Sequence, residues 1–193
     1  MTAALQHPVG PFTVEDWHAL NPRDDGSRLE LLWGHWLVNP PPSMYHQYAG
    51  DEIRGALKDA LRDAGRTDLF VVTASGADIS TKWRNGLIPD VLVVNVLPVT
   101  MTAAPENLVL VVETWSPGNK ARERTAKADA YALAGVPHFW TVEQNRFGRV
   151  TAVTAYRLDG GRYVEAAKAT PGTVTQFDVA GVPVKFDPAD LMP

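Results

Sequence analysis

The sequence predicts a mixed α/β (α+β) fold in which a central β-sheet is flanked by helices and followed by a C-terminal β meander. Two observations predict it: a long helical segment precedes nearly continuous apolar strands, and a second helix separates these from later, alternating strands. The composition, 45% hydrophobic and 21% charged residues in a chain of 193, is that of an ordinary folded domain. The sequence contains no repeat, low-complexity tract or linker, so we expect a single domain over residues 1–193.

The composition also excludes several classes of protein. The chain has no cysteine, which excludes disulfides, cysteine-ligated zinc, iron–sulfur clusters and thiol nucleophiles. Its formal net charge of −4 argues against a protein that coats nucleic acid non-specifically. The N-terminus lacks a signal-peptide pattern, and the aliphatic runs are too short to cross a bilayer. We therefore expect a cytoplasmic protein with no membrane partner.

The first predicted elements are a short helix and a hairpin. Thr13 is a capping residue for a helix that reaches Trp17, and the turn-rich residues 21–26 end it. Residues 29–38 contain two strand-like halves on either side of Trp33 and Gly34, which predicts a tight β-hairpin.

A long helix follows three consecutive prolines. Ser43 occupies a capping position, and apolar residues recur at helical spacing between Met44 and Ala64. Gly65 then ends the helix.

Beyond Gly65 the pattern changes to short β segments interrupted by one helix. An alanine-rich helix is predicted over residues 120–134, closed by Gly135 and Pro137. Two of the strands are almost continuously apolar, which is typical of central strands covered on both faces. These are residues 88–96 and 107–115, and the other predicted strands are 69–73, 138–143, 150–158, 162–167 and 174–179.

Two carboxylates and a lysine occupy conspicuous positions. Asp90 stands at the start of one apolar strand, Glu113 near the end of the next, and Lys127 on the helix that follows. A carboxylate among aliphatic strands is costly unless it is paired, hydrogen-bonded or bound to a cation, and two neighbouring ones repel each other. A divalent ion such as Mg²⁺ resolves both problems and can activate water for attack on a phosphodiester. The lysine would orient or deprotonate that water, or stabilise developing charge.

Each of these residues taken alone also has an ordinary structural interpretation. Asp90 and Glu113 are each compatible with a strand end that faces solvent. Lys127 is compatible with an exposed helix face that it shares with Glu123 and Tyr131. The functional interpretation therefore depends on the combination.

That combination resembles the Uma2 family (DUF820) of PD-(D/E)XK, restriction-endonuclease-like proteins. The specific part of the resemblance runs from Glu113 to Trp140, and weaker agreement covers most of the chain. The motifs are PD at 89–90, LVLVVETWSP at 108–117, Lys127 with Tyr131, AGVPHFW at 134–140, RLELLWGHW at 28–36, PPS at 41–43 with His46, and YRLDGGRY at 156–163.

The resemblance implies a restriction-endonuclease-like core and a metal-dependent endonuclease. Asp90 and Glu113 would bind Mg²⁺ or Mn²⁺, Lys127 would be the catalytic lysine, and Glu30 would join them from the first hairpin. The sequence departs from the superfamily in lacking a Glu-x-Lys tripeptide, so the lysine role falls on Lys127 alone. Where the family usually has a second acid in the hairpin, this chain has His35, and no role is assigned to it.

Four further residues are candidate accessory groups. His46 lies in the first turn of the long helix, where it could face the metal site or a phosphate, or simply cap the helix or face solvent. Lys120, Arg122 and Arg124 cluster at the start of the second helix, where the helix dipole disfavours cations. Phosphate binding and a solvated charged face both remain open for this cluster. The nearby aromatic residues interpreted as core packing are Trp115, Tyr131, Phe139 and Trp140.

Two functions from different classes follow from these residues. The first is an endonuclease that hydrolyses DNA phosphodiester bonds with metal-activated water. The alternative is a nuclease fold kept without turnover as a binding or interaction module. A homodimer is expected in either case, because exposed strand edges of the late meander often pair between subunits.

Overall fold

The structure, a computed structural model, describes residues 10–20 and 24–193. Three α-helices lie within these residues: Val14–His18 (α1), Met44–Asp63 (α2) and Ala121–Leu133 (α3). Strands β1–β7 are Arg28–Leu32, His35–Asn39, Phe70–Thr73, Gly76–Ser80, Asn85–Leu87, Val91–Val94 and Thr102–Ala103. Strands β8–β13 are Leu108–Trp115, His138–Gln144, Val150–Asp159, Arg162–Ala169, Thr175–Val179 and Val182–Phe186.

The predicted helices are confirmed, and capping chemistry explains two of the starts. The hydroxyl of Thr13 accepts a hydrogen bond from the amide of Asp16, whose carboxylate accepts one from the Thr13 amide in return. Ser43 Oγ accepts from the amide of His46 at the start of α2. Of the predicted turn at 21–26, residues 21–23 lie outside the described residues. None of the described helices is long and apolar enough to span a membrane.

A six-stranded sheet in the order β11-β10-β9-β8-β6-β3 forms the centre of the molecule. Strands β8 and β9 are parallel and are joined through α3, and the other neighbours are antiparallel. Both faces of β6 and β8 are covered, as their continuous apolar pattern predicts. Val91 and Val93 pack with α2, whereas Leu92 and Val94 pack on the side of α3.

A second sheet in the order β2-β1-β5-β4-β7 lies beside the first. The predicted hairpin at 29–38 forms its β1–β2 edge. Strands β4, β5 and β7 were not predicted, because they are only two to five residues long and contain few strand-forming residues. This sheet matters for the site because β1 places Glu30 against the central sheet.

The C-terminal meander is divided between two sheets. Strands β10 and β11 extend the central sheet, whereas β12 and β13 form a separate two-stranded sheet whose apolar residues pack in the same core as α2. Strand β13 was not predicted, although its residues alternate between buried and exposed. Pro183 faces solvent there, where its missing N–H is tolerated at the edge of a small sheet.

Candidate active site

The predicted residues meet in a cleft of 430 Å³ near the ends of the parallel strands β8 and β9. Pro40–Ser43 and the loop after β8 form its rim, and charged side chains form its floor. Four of the predicted residues line it: His46, Asp90, Glu113 and Lys127. Glu30 lies directly behind Lys127.

Glu113 is buried on β8, with 3% of its surface exposed. The hydroxyl of Tyr131 donates to Glu113 Oε1 at 2.5 Å, and Lys127 Nζ lies 3.2 and 3.4 Å from its two oxygens. Burial raises the pKa of Glu113 to about 8, and the negative charges of Glu30 and Asp90 add to this rise against the opposing effect of Lys127. A further positive charge beside Glu113 would favour its ionised form.

Lys127 lies on the inward face of α3 and joins two acids. Its Nζ is 2.9 and 3.0 Å from the oxygens of Glu30, and it also contacts Glu113. Burial by itself lowers the pKa of Lys127, but Glu113 and Glu30 raise it above its usual value. The ammonium therefore stays charged at neutral pH.

Glu30 is fully buried and all its contacts are internal. Its Oε1 accepts from the amide of Ile88 at 2.7 Å, and the side-chain amide of Asn39 donates to Oε2 at 2.5 Å. Because both oxygens also contact Lys127, Glu30 positions the lysine and ties the β1–β2 hairpin to the central sheet.

Asp90 follows Pro89 at the corner before β6 and is only 8% exposed. Its Oδ1 accepts from Arg28 at 2.8 Å and lies 2.9 Å from His46 Nε2, while Oδ2 accepts from the amide of Thr114 at 2.9 Å. Burial alone raises the pKa of Asp90, but His46, the Thr114 amide and Arg28 together hold it below its usual value. Asp90 is thus an ionised carboxylate on the cleft wall.

Two partners in this site were missed at the sequence level. Arg28 precedes Glu30 by two residues, and the two-residue period of a strand puts both on the same face, a signal that was available. Tyr131 was interpreted as core packing alone, but its hydroxyl binds Glu113. Its position four residues after Lys127 places both on one helix face. Trp115, Phe139 and Trp140 are buried, as predicted.

The basic cluster at the start of α3 is divided in two by its contacts. Lys120 and Arg122 are exposed at the start of α3 and do not line the cleft, whose nearest lining residues in the chain are Asn119 and Glu123. Arg124 instead donates to Glu143 at 2.7 Å and to the carbonyl oxygens of Ser116 and Asn119. A phosphate contact by Arg124 would have to replace these bonds, which hold the loop after β8.

The donor set fits a hard divalent cation at two carboxylates. Asp90 and Glu113 open onto the same cleft, and Mg²⁺ is commonly held by one or two carboxylates with water completing its shell. Among the described residues, no group of three or more His, Cys, Asp or Glu side chains is arranged to hold an ion. Glu30 is not available as a third ligand because it is fully buried and does not line the cleft.

Comparison with known proteins assigns the family. Residues 14–181 match the family model Uma2, described as "Putative restriction endonuclease". The chain belongs to the Uma2 family. A solved structure described as a "putative nuclease belonging to DUF820", from Anabaena variabilis ATCC 29413, superposes with a TM-score of 0.71 at 14% sequence identity. The match covers 94% of this Uma2 chain and 97% of that one, and at this identity it shows a common fold. No match to a curated protein was found.

Proposed function

We propose that this Uma2 protein is a metal-dependent endonuclease that hydrolyses phosphodiester bonds of DNA. The observation that supports it is that Asp90, Glu113 and Lys127 line one cleft, with Glu30 directly behind Lys127. Burying three carboxylates is costly, and a core built only for stability would replace them with apolar groups. A binding site for a cation and a phosphate explains why they are retained.

In this proposal Asp90 and Glu113 hold Mg²⁺ or Mn²⁺. When bound, the ion would polarise the phosphate and lower the pKa of a water molecule. Lys127, being charged, donates hydrogen bonds to phosphate oxygens and stabilises the charge that develops on them, whereas Glu30 holds the lysine in place. His46 lines the cleft beside Asp90, where it would contact the same phosphate.

Phosphates further along the DNA would meet exposed cations outside the cleft. Lys120 and Arg122 face solvent at the start of α3, where the free amide groups of the helix also favour an anion. Arg124 stabilises the loop after β8, which lines the cleft.

Cleavage of supercoiled plasmid in Mn²⁺ tests the proposal. Wild-type protein should nick the plasmid, and Asp90→Asn, Glu113→Gln and Lys127→Ala should each reduce the rate by about a hundredfold or more. Asp78→Asn is the matched control, because Asp78 lies on β4 with His18 and Thr102 as its partners. Full activity of Lys127→Ala, or equal loss in Asp78→Asn, would contradict the assignment.

A specific observation also favours the second function, a binding module without turnover. Lys127 already contacts Glu30 and Glu113, and Arg28 and His46 already contact Asp90, so within the described residues every acid of the site has an internal partner. A module of this kind would bind DNA without cleaving it in Mn²⁺ or Mg²⁺.

A homodimer is proposed on the exposed edges of the central sheet. Strand β11 is one edge, and its Val164 is 52% exposed. Light scattering on the purified protein tests this: twice the monomer mass supports the dimer, and the monomer mass contradicts it.

A further inference from the structure

The hairpin between β9 and β10 carries an exposed basic and aromatic tip. Arg146, Phe147 and Arg149 are exposed, with 63% of the Phe147 surface in solvent. The guanidinium of Arg146 lies 4.6 Å from the centre of the Phe147 ring. Neither arginine forms an ion pair with a described residue, and residues 144–150 contain no acid. In a chain with a net charge of −4, this tip is a local concentration of positive charge.

The tip is held rigidly by its own hydrogen bonds and by α2. Asn145 Oδ1 accepts from the amides of Phe147 and Arg149. Gly148 has a φ of 75°, and a Cβ there would come within 2.6 Å of the Tyr45 ring, so only glycine allows this close approach. Gln144 also donates to the carbonyl of Tyr45 at 3.1 Å. The exposed side chains are therefore presented by a fixed backbone.

The tip borders the active-site cleft. A second, open cavity of 590 Å³ lies between the start of α2 and the hairpin, lined by Ser43, Tyr45 and residues 146–149. Ser43 lines both cavities, and Gln144 lines the cleft. A chain that leaves the cleft past Ser43 therefore meets Tyr45, which is 51% exposed, and then Phe147.

We propose that Tyr45, Arg146, Phe147, Gly148 and Arg149, the hairpin-tip platform, bind an unpaired segment of the DNA beside the scissile phosphate. Aromatic rings on which bases stack, together with cations that follow the backbone, are what single-stranded nucleic acid requires. Bases inside a duplex are already stacked, so the platform selects DNA that has a single-stranded part. The inference rests on the proposed function and specifies its substrate.

Binding without metal tests the platform separately from catalysis. The probes are a labelled oligothymidine of about 16 nucleotides and a labelled duplex of the same length. Their binding affinities are measured by fluorescence anisotropy in EDTA, which removes divalent metal. Phe147→Ala should weaken oligothymidine binding about tenfold and duplex binding less than about twofold. Trp83→Ala is the matched control, because Trp83 is 47% exposed beneath Lys82 but lies outside both cavities.

The salt dependence gives a second, independent readout. Replacing Arg146 and Arg149 together with Gln should reduce the slope of log affinity against log salt by about 1.4, since each lost phosphate contact removes about 0.7. Unchanged thermal unfolding of Phe147→Ala and of the double arginine variant verifies that both proteins fold.

Three results would overturn the inference: no oligothymidine binding by wild type, equal effects of Phe147→Ala and Trp83→Ala, or an unchanged slope. If wild-type protein binds oligothymidine through the platform but never cleaves plasmid, the proposed function is contradicted and the platform is supported. If wild-type protein cleaves plasmid but Phe147→Ala binds oligothymidine normally, the platform alone is contradicted.

Discussion

At the scale of single residues, Lys127 holds together two acids that come from different sheets. Glu30 lies on β1 of the second sheet and Glu113 on β8 of the central one, and the ammonium contacts both within 3.4 Å. Burial raises the pKa of Glu113, and the nearby charges of Glu30 and Asp90 add to the rise, although Lys127 opposes it. A divalent cation at Asp90 and Glu113 would favour the ionised form of Glu113, as the proposed function requires.

The hydroxyl of Tyr131 should be worth more to stability than an ordinary tyrosine hydroxyl. Tyr131→Phe should lower the free energy of unfolding by about 2 kcal/mol, because the bond lost goes to a buried carboxylate. Urea unfolding measures this at a pH about one unit above the pKa of Glu113, where its carboxyl group is mostly ionised. Tyr163→Phe is the control, since its hydroxyl donates to the neutral carbonyl of Val136, and it should cost about 1 kcal/mol. An equal or larger cost for Tyr163→Phe would contradict the interpretation.

The acids and the lysine could be predicted, whereas their partners were less accessible. Asp90 and Glu113 stand out because charges interrupt aliphatic strands, Lys127 stands out on the helix that follows, and the family resemblance added Glu30. The strand period does place Arg28 on the same face as Glu30, but its contact with Asp90 joins residues 62 positions apart and requires the corner at Pro89 to fold against β1. Such a contact is a product of tertiary structure.

At the scale of elements, the turn between β12 and β13 is attached to the central sheet by a histidine. The amide of Ala180 donates to His138 Nε2 at 3.1 Å, and Arg66 donates to the carbonyl oxygen of Ala180. Burial lowers the pKa of His138 from 6.5, Arg157 lowers it further, and Asp178 opposes them. Accepting the amide requires the neutral imidazole.

Stability should therefore depend on pH through His138. Because the folded state has the lower pKa, this contribution is present above pH 6.5 and is lost as the pH falls through the folded-state pKa. His138→Gln keeps an acceptor but cannot be protonated. The free energy of unfolding of wild type relative to His138→Gln should decrease from about pH 7.5 to about pH 5, as measured by urea unfolding. A constant difference between the two proteins would contradict this role.

Long periodic elements could be predicted and short ones could not. Helix α2 and strands β8 and β10 carry patterns long enough to identify them. Strand β5, with the sequence Asn-Gly-Leu, has no strand-forming pattern, and its pairing with β1 and β4 makes it a strand. Glu30 reaches the site through this small sheet, so its exact position could not be derived from periodicity.

At the scale of the whole molecule, the acidic composition and a nucleic-acid substrate are compatible. The net charge of −4 is not spread evenly, because three acids are buried at the cleft. Exposed cations include Lys120 and Arg122 at the start of α3, and Arg146 and Arg149 at the second cavity. The absence of cysteine leaves oxygen donors, which suit hard metal ions. Composition alone could not separate these two populations of charge.

Calorimetric titration of Mn²⁺ tests the central claim, a divalent-cation site at Asp90 and Glu113, most directly. Wild-type protein and Asp78→Asn should bind the ion equally, whereas Asp90→Asn and Glu113→Gln should each lose at least about tenfold in affinity, because each removes one of two anionic ligands. Circular dichroism of each variant verifies the fold. No Mn²⁺ binding by wild type, or unchanged binding by both cleft variants, would contradict the account.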